Sequence, residues 1–123
     1  MKLIFGGAYQ GKLDYARNNY DIQTICDCSG GAEPDFSKDA ICGIEGFVLA
    51  CAKAGIEARE YFEKARDQWQ DKILIMTDTS QGVVPIDKDV RAFREMNGRL
   101  MLYLAGEADS VERVFCGIGK RLK

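Results

Sequence analysis

Gly6-Gly7-Ala8-Tyr9-Gln10-Gly11-Lys12-Leu13 is the stretch that decides how this chain is read. It follows the short apolar run Leu3-Ile4-Phe5 and precedes a helical segment, so a glycine-rich turn falls between a strand and a helix. In that setting the spacing G-x-x-x-x-G-K is that of a phosphate-cradling P-loop. Glycines let the backbone turn tightly and aim successive N–H groups inward. The following helix presents its positive end, and Lys12 can reach terminal phosphates. Gly6, Gly7, Ala8, Tyr9, Gln10, Gly11, Lys12 and Leu13 are the expected nucleotide-binding residues. The pattern normally closes on Ser or Thr, whose hydroxyl binds Mg²⁺; here Leu13 offers no oxygen.

The remaining composition limits the function. A chain of 123 residues, 46% hydrophobic and 29% charged, fits a single domain with a real core. A net charge of −2 argues against a general nucleic-acid or membrane-surface binder, so an anionic ligand requires a local site. No apolar run has the length of a membrane span, and the residues before Gly6 read as a first strand rather than a signal peptide. The odd count of 5 cysteines is expected to be reduced thiols in a cytoplasmic protein.

From Gly11 a helix is expected to about Asn18, then a strand over Ile22–Cys26 and a loop from Asp27 to Lys38. Asp39–Cys42 reads as a short buried strand. Ile44, Phe47, Val48 and Cys51 have the spacing of a helix face. Gly55 breaks that helix, and a second is expected from Ile56 to about Gln70, with Phe62 and Trp69 in the core. Lys72–Thr77 is a nearly continuous apolar run of the kind buried on both faces of a parallel sheet. Asp78–Pro85 then forms a loop at a strand's C-terminal end, where open α/β folds bind ligands. Asp87 is a candidate N-cap for a long helix whose inner stripe is Val90, Phe93, Asn97, Leu100 and Leu104. Val111–Cys116 reads as the last strand, followed by a turn and a basic tail, Lys120-Arg121-Leu122-Lys123. The alternation predicts an α/β fold with a mostly parallel sheet of about five strands flanked by helices.

Gly82-Val83-Val84-Pro85, Arg91-Ala92-Phe93-Arg94-Glu95, Asn97-Gly98-Arg99-Leu100, Ala108-Asp109 and Cys116-Gly117-Ile118-Gly119 occur in this order. Together with Gly6, Gly7, Ala8, Gly11 and Lys12, they resemble the adenosylcobinamide kinase/adenosylcobinamide-phosphate guanylyltransferase family of cobalamin biosynthesis, over roughly half of the chain. The resemblance implies a P-loop NTPase-like domain that binds GTP or ATP with Mg²⁺. It also implies a corrinoid substrate bearing an aminopropanol hydroxyl, and assembly into homo-oligomers. The family phosphorylates that hydroxyl and then transfers GMP through a guanylylated histidine.

Several residues depart from the family. The chain contains 0 histidines, so it cannot form that covalent intermediate, and the segment that would carry the histidine is reduced to the loop after Cys26. The family's Asn-Glu pair falls on Thr77 and Asp78, leaving Asp78 as the candidate catalytic and metal-assisting carboxylate; a strand-end aspartate also caps turns. Arg94 and Arg99 coincide with family positions and are candidate phosphate contacts or helix-surface ion pairs, whereas Arg91 reads as surface charge. Cys26-Asp27-Cys28 lacks the spacing of a zinc site. Two functions stay open on these residues. One is a shortened kinase using Lys12 and Asp78; the other is a degenerate nucleotide sensor or interaction protein partnering a full-length relative.

Overall fold

The computed structural model describes residues 1–79 and 87–123. Its elements in order are β1 (Lys2–Gly6), α1 (Lys12–Asn19), β2 (Ile25–Asp27), β3 (Ala40–Cys42), α2 (Ile44–Ala54) and α3 (Ala58–Lys64). A 3-10 turn at Arg66–Gln68, β4 (Ile73–Thr77), α4 (Lys88–Glu107), β5 (Ser110–Phe115) and β6 (Ile118–Arg121) complete them. The strands form one 6-stranded sheet in the order β2-β3-β4-β1-β5-β6. All neighbours are parallel except β5 and β6. Among the described residues, no helix is long and apolar enough to cross a membrane.

Alternation along each strand assigns the two faces of the sheet. Leu3, Ile41, Leu74, Met76 and Val111 pack with α2, α3 and α4. Ile4, Cys42, Ile75 and Val114 pack on the opposite face around Ala16 of α1. Trp69 is fully buried and its indole N–H donates to the carbonyl of Phe62 at 2.9 Å, which places both residues in the larger core as expected. Asp87 caps α4 as its sequence suggests, its side chain accepting from the N–H groups of Asp89 and Val90. Asn97, Leu100 and Leu104 of the anticipated stripe are buried, but Val90 is largely exposed and Met96 takes an inward place.

Three expectations change. The helix expected over Ile56–Gln70 ends at Lys64, with the 3-10 turn carrying the chain to Trp69. The strand expected over Ile22–Cys26 is Ile25–Asp27, because the ladder to β3 pairs Ile25 with Ala40 and Asp27 with Cys42. Part of the anticipated turn and the first half of the basic tail, Ile118–Arg121, are β6, an edge strand that returns antiparallel along β5 after a turn in which Cys116 and Gly117 both have positive φ, so the sheet has six strands where about five were expected. Of the ligand-loop reading at Asp78–Pro85, residues 80–85 lie outside the described residues.

Candidate functional site

Parallel strands end on one edge, so the C-terminal ends of β1, β2, β3 and β4 meet there. Between them lies a cleft of about 420 Å³, lined by Tyr9 and Lys12 of the glycine loop, Asp27 of β2, Gly43 and Glu45 at the start of α2, and Thr77 of β4.

The glycine loop is held from both ends. A Cβ on Gly6 would lie 2.3 Å from the carbonyl oxygen of Val114, so β1 runs too close to β5 for any side chain there. Gly11 closes the loop at φ 82°, a left-handed conformation that suits glycine, and its carbonyl accepts the first helical bond from Tyr15 N–H at 2.9 Å. Gln10 ties the loop to the β5–β6 turn. Its side-chain oxygen accepts from Cys116 N–H at 2.7 Å and its carbonyl from Gly117 N–H at 2.8 Å. Tyr9, also at positive φ, is fully exposed at the loop tip beside the exposed Ala8.

Gly11 brings no side-chain cap to α1, so among the described residues no cap claims its first-turn N–H groups, as at helix termini that receive anions. Lys12 Nζ donates to the carbonyl of Gly7 at 2.8 Å, folded back across the loop. Burial lowers its pKa, and the Glu45 carboxylate partly offsets that by favouring the charged ammonium. Leu13 packs against the apolar cluster around Ala16 and Ile4, which explains why an apolar residue is tolerated there.

The carboxylates facing Lys12 are ones the sequence reading did not select. Glu45 Oε1 accepts Thr77 N–H at 2.8 Å, joining the start of α2 to the end of β4. Asp27 accepts Ser29 N–H at 2.9 Å; that bond and the Ser29 hydroxyl hold its carboxyl below the usual range. Burial, followed by the Asp27 and Glu45 charges, pushes the neighbouring Cys42 thiol up to about 11, so it stays protonated at neutral pH. Asp14 also lines the cleft. The detectable signal was position: Asp27 ends a strand and Glu45 opens a helix, at the sheet edge where α/β proteins bind ligands.

The other expected site residues lie elsewhere. Asp78 follows Thr77 and so turns to the other face, where it lines a separate cavity with Phe5, Gly98 and Met101; its backbone N–H donates to the Gly6 carbonyl at 2.8 Å. Arg99 makes a two-pronged ion pair with Glu57, at 3.2 and 3.0 Å, which joins α4 to the start of α3. Arg94 is half-buried on α4 and does not line the cleft. Among the described residues, no group of three or more His, Cys, Asp or Glu side chains is arranged to hold a metal ion alone. A Mg²⁺ ion arriving with a nucleotide needs fewer, since it keeps waters and phosphate oxygens and takes one or two carboxylates; Asp27 and Glu45 suit that role.

The sequence matches no protein-family model, and no curated protein matches it.

Proposed function

We propose that this chain is a P-loop nucleotide-binding protein that takes GTP or ATP as its Mg²⁺ complex. The observation that carries the reading is the uncapped N-terminus of α1 behind a braced glycine loop, with Lys12 folded over it. The electrostatics of the cleft support the metal. Asp14, Asp27 and Glu45 share it with Lys12, so a bare triphosphate meets net repulsion that a divalent cation removes. Bound Mg²⁺ supplies charge neutralisation on the phosphate oxygens.

On this reading Lys12 leaves the Gly7 carbonyl for a phosphate oxygen, and the N–H groups of the loop and the first turn of α1 position the phosphates. Asp27 and Glu45 hold the cation. Phosphoryl transfer rests mainly on such positioning and electrostatics, so the phosphorylation half-reaction on a cobinamide-type alcohol is the chemistry that fits the family resemblance. Guanylyl transfer through histidine does not fit, because the chain has 0 histidines.

A second reading, a nucleotide sensor without turnover, is favoured by two placements. Leu13 is committed to the apolar cluster, and Asp78 lies on the face away from Lys12. Calorimetric titration of GTP and ATP, with and without Mg²⁺, tests binding. Lys12→Ala should weaken it about 10- to 150-fold, the equivalent of one charge-assisted hydrogen bond of about 1.5–3 kcal/mol. Equal affinity for wild type and Lys12→Ala would refute the loop's role. A phosphorylation assay with cobinamide then separates kinase from sensor.

A further inference from the structure

We infer that Cys26 and Cys28 form a reversible disulfide site, with Cys26 as the accessible thiol and Cys28 as its buried partner. Their sulfurs lie 3.8 Å apart, in contact but unbonded. Cys26 is the middle residue of β2 and Cys28 is the first residue beyond it, and both side chains join the larger core cluster. Two residues of fully extended chain span about 6.6 Å, near the upper limit of about 6.8 Å for bridged Cα atoms, so closing the bond contracts the chain between them and leaves it strained and readily reduced.

The surroundings distinguish the two thiols. Cys28 is completely buried among the residues packed on α2, whereas Cys26 is half-exposed. The backbone N–H of Asp35 donates to Cys26 Sγ at 3.3 Å and fixes the sulfur where it meets its neighbour. Backbone contacts fix Cys28: its N–H donates to the Cys42 carbonyl at 2.9 Å, and a Cβ on Gly46 would lie 2.4 Å from its own carbonyl oxygen. Burial and the neighbouring Cys26 push the Cys28 thiol well above its ordinary range, so Cys28 is protonated at neutral pH and Cys26 is the thiol that reacts first.

The co-reactant is a low-molecular-weight disulfide such as oxidised glutathione. The Cys26 thiolate attacks one of its sulfurs; the S–S bond breaks and one glutathione thiolate leaves. Cys28, whose sulfur already touches Cys26 Sγ, then attacks it as its proton passes to the departing sulfur, expelling the second glutathione as a thiol. Two protein thiols are oxidised with loss of two protons and two electrons, and one disulfide is reduced to two thiols. Asp27 sits between the two cysteines and lines the cleft, so the contraction displaces a carboxylate there; that consequence alone rests on the proposed nucleotide function.

The test uses the whole chain carrying Cys116→Ser, which removes the exposed thiol. It is equilibrated in glutathione buffers of increasing oxidised fraction, quenched in acid, alkylated and digested with trypsin. Peptide 18–38 contains Cys26 and Cys28 and no other cysteine. It should lose two hydrogens as the buffer becomes oxidising and regain them with dithiothreitol. Cys26→Ser should abolish the loss, and Cys28→Ala should trap a glutathione adduct on Cys26. Alkylation of both thiols across the series, or glutathione on both, would overturn the proposal. No nucleotide is present, so failure here leaves the cleft's function untouched.

Discussion

Gly6→Ala probes the architecture beneath the glycine loop. Gly6 is the last residue of β1, which lies between β4 and β5, and it pairs with Thr77 of β4. The new methyl would stand 2.3 Å from the Val114 carbonyl oxygen and 3.3 Å from its carbon. Both atoms belong to backbone inside the sheet, so no side chain can rotate aside. The strands must separate by about 1 Å or the loop must lift, and overpacking of this kind costs about 2–3 kcal/mol. For a chain of this length each kcal/mol lowers Tm by about 3–5 °C, giving a fall of roughly 6–15 °C. Gly98→Ala is the matched control. It sits inside α4, and a Cβ there meets nothing within 4 Å. Relief of the glycine penalty, about 0.8–1.0 kcal/mol, should raise Tm by about 2–5 °C. Thermal unfolding followed by far-ultraviolet circular dichroism reads both variants. An unchanged Tm for Gly6→Ala would refute the close approach of β1 to β5.

Glu45→Gln keeps an acceptor for Thr77 N–H but removes the charge beside Lys12. Calorimetry should show Mg²⁺-free nucleotide affinity rising roughly tenfold, about 1.4 kcal/mol, as expected for one partly screened charge. The advantage conferred by Mg²⁺ should shrink at the same time. Arg99→Ala breaks an exposed ion pair with Glu57 and should leave nucleotide affinity unchanged while lowering stability by about 0.2–1 kcal/mol in urea titration. Burial and the hydrogen bond to Glu112 raise Tyr20 from its ordinary 10.0 to about 12. Its folded pKa exceeds its unfolded one, so its contribution to stability is complete below pH 10 and is lost as pH rises toward about 12. Burial also raises Tyr15, Tyr61 and Tyr103, so ultraviolet titration should show several late-ionising tyrosines, of which the latest step is shifted down by Glu112→Gln and removed by Tyr20→Phe.

What the sequence determined is local. Glycine spacing placed a turn between β1 and α1; the near-continuous apolar run of β4 required burial on both faces; and Asp87 could begin α4 because its carboxylate reaches the next N–H groups. These features depend on residues a few positions apart, and so does the expectation of a mostly parallel sheet. Strand order and pairing do not. Ile118–Arg121 looks like the end of a turn and the start of a charged tail until β5 supplies the partner that makes it a strand. The helix expected to reach Gln70 stops at Lys64, and Trp69 enters the core from a 3-10 turn. The site divides in the same way. Lys12 and its loop were legible, whereas the carboxylates beside them were not, because register and face are fixed by neighbouring strands. Alternation turns Asp78 away from Lys12, while pairing of β2 with β3 and the turn into α2 bring Asp27 and Glu45 to the same cleft. The distinction is physical: propensities and turns act along the chain, but the side on which a strand-end carboxylate emerges is decided by contacts between segments far apart in sequence.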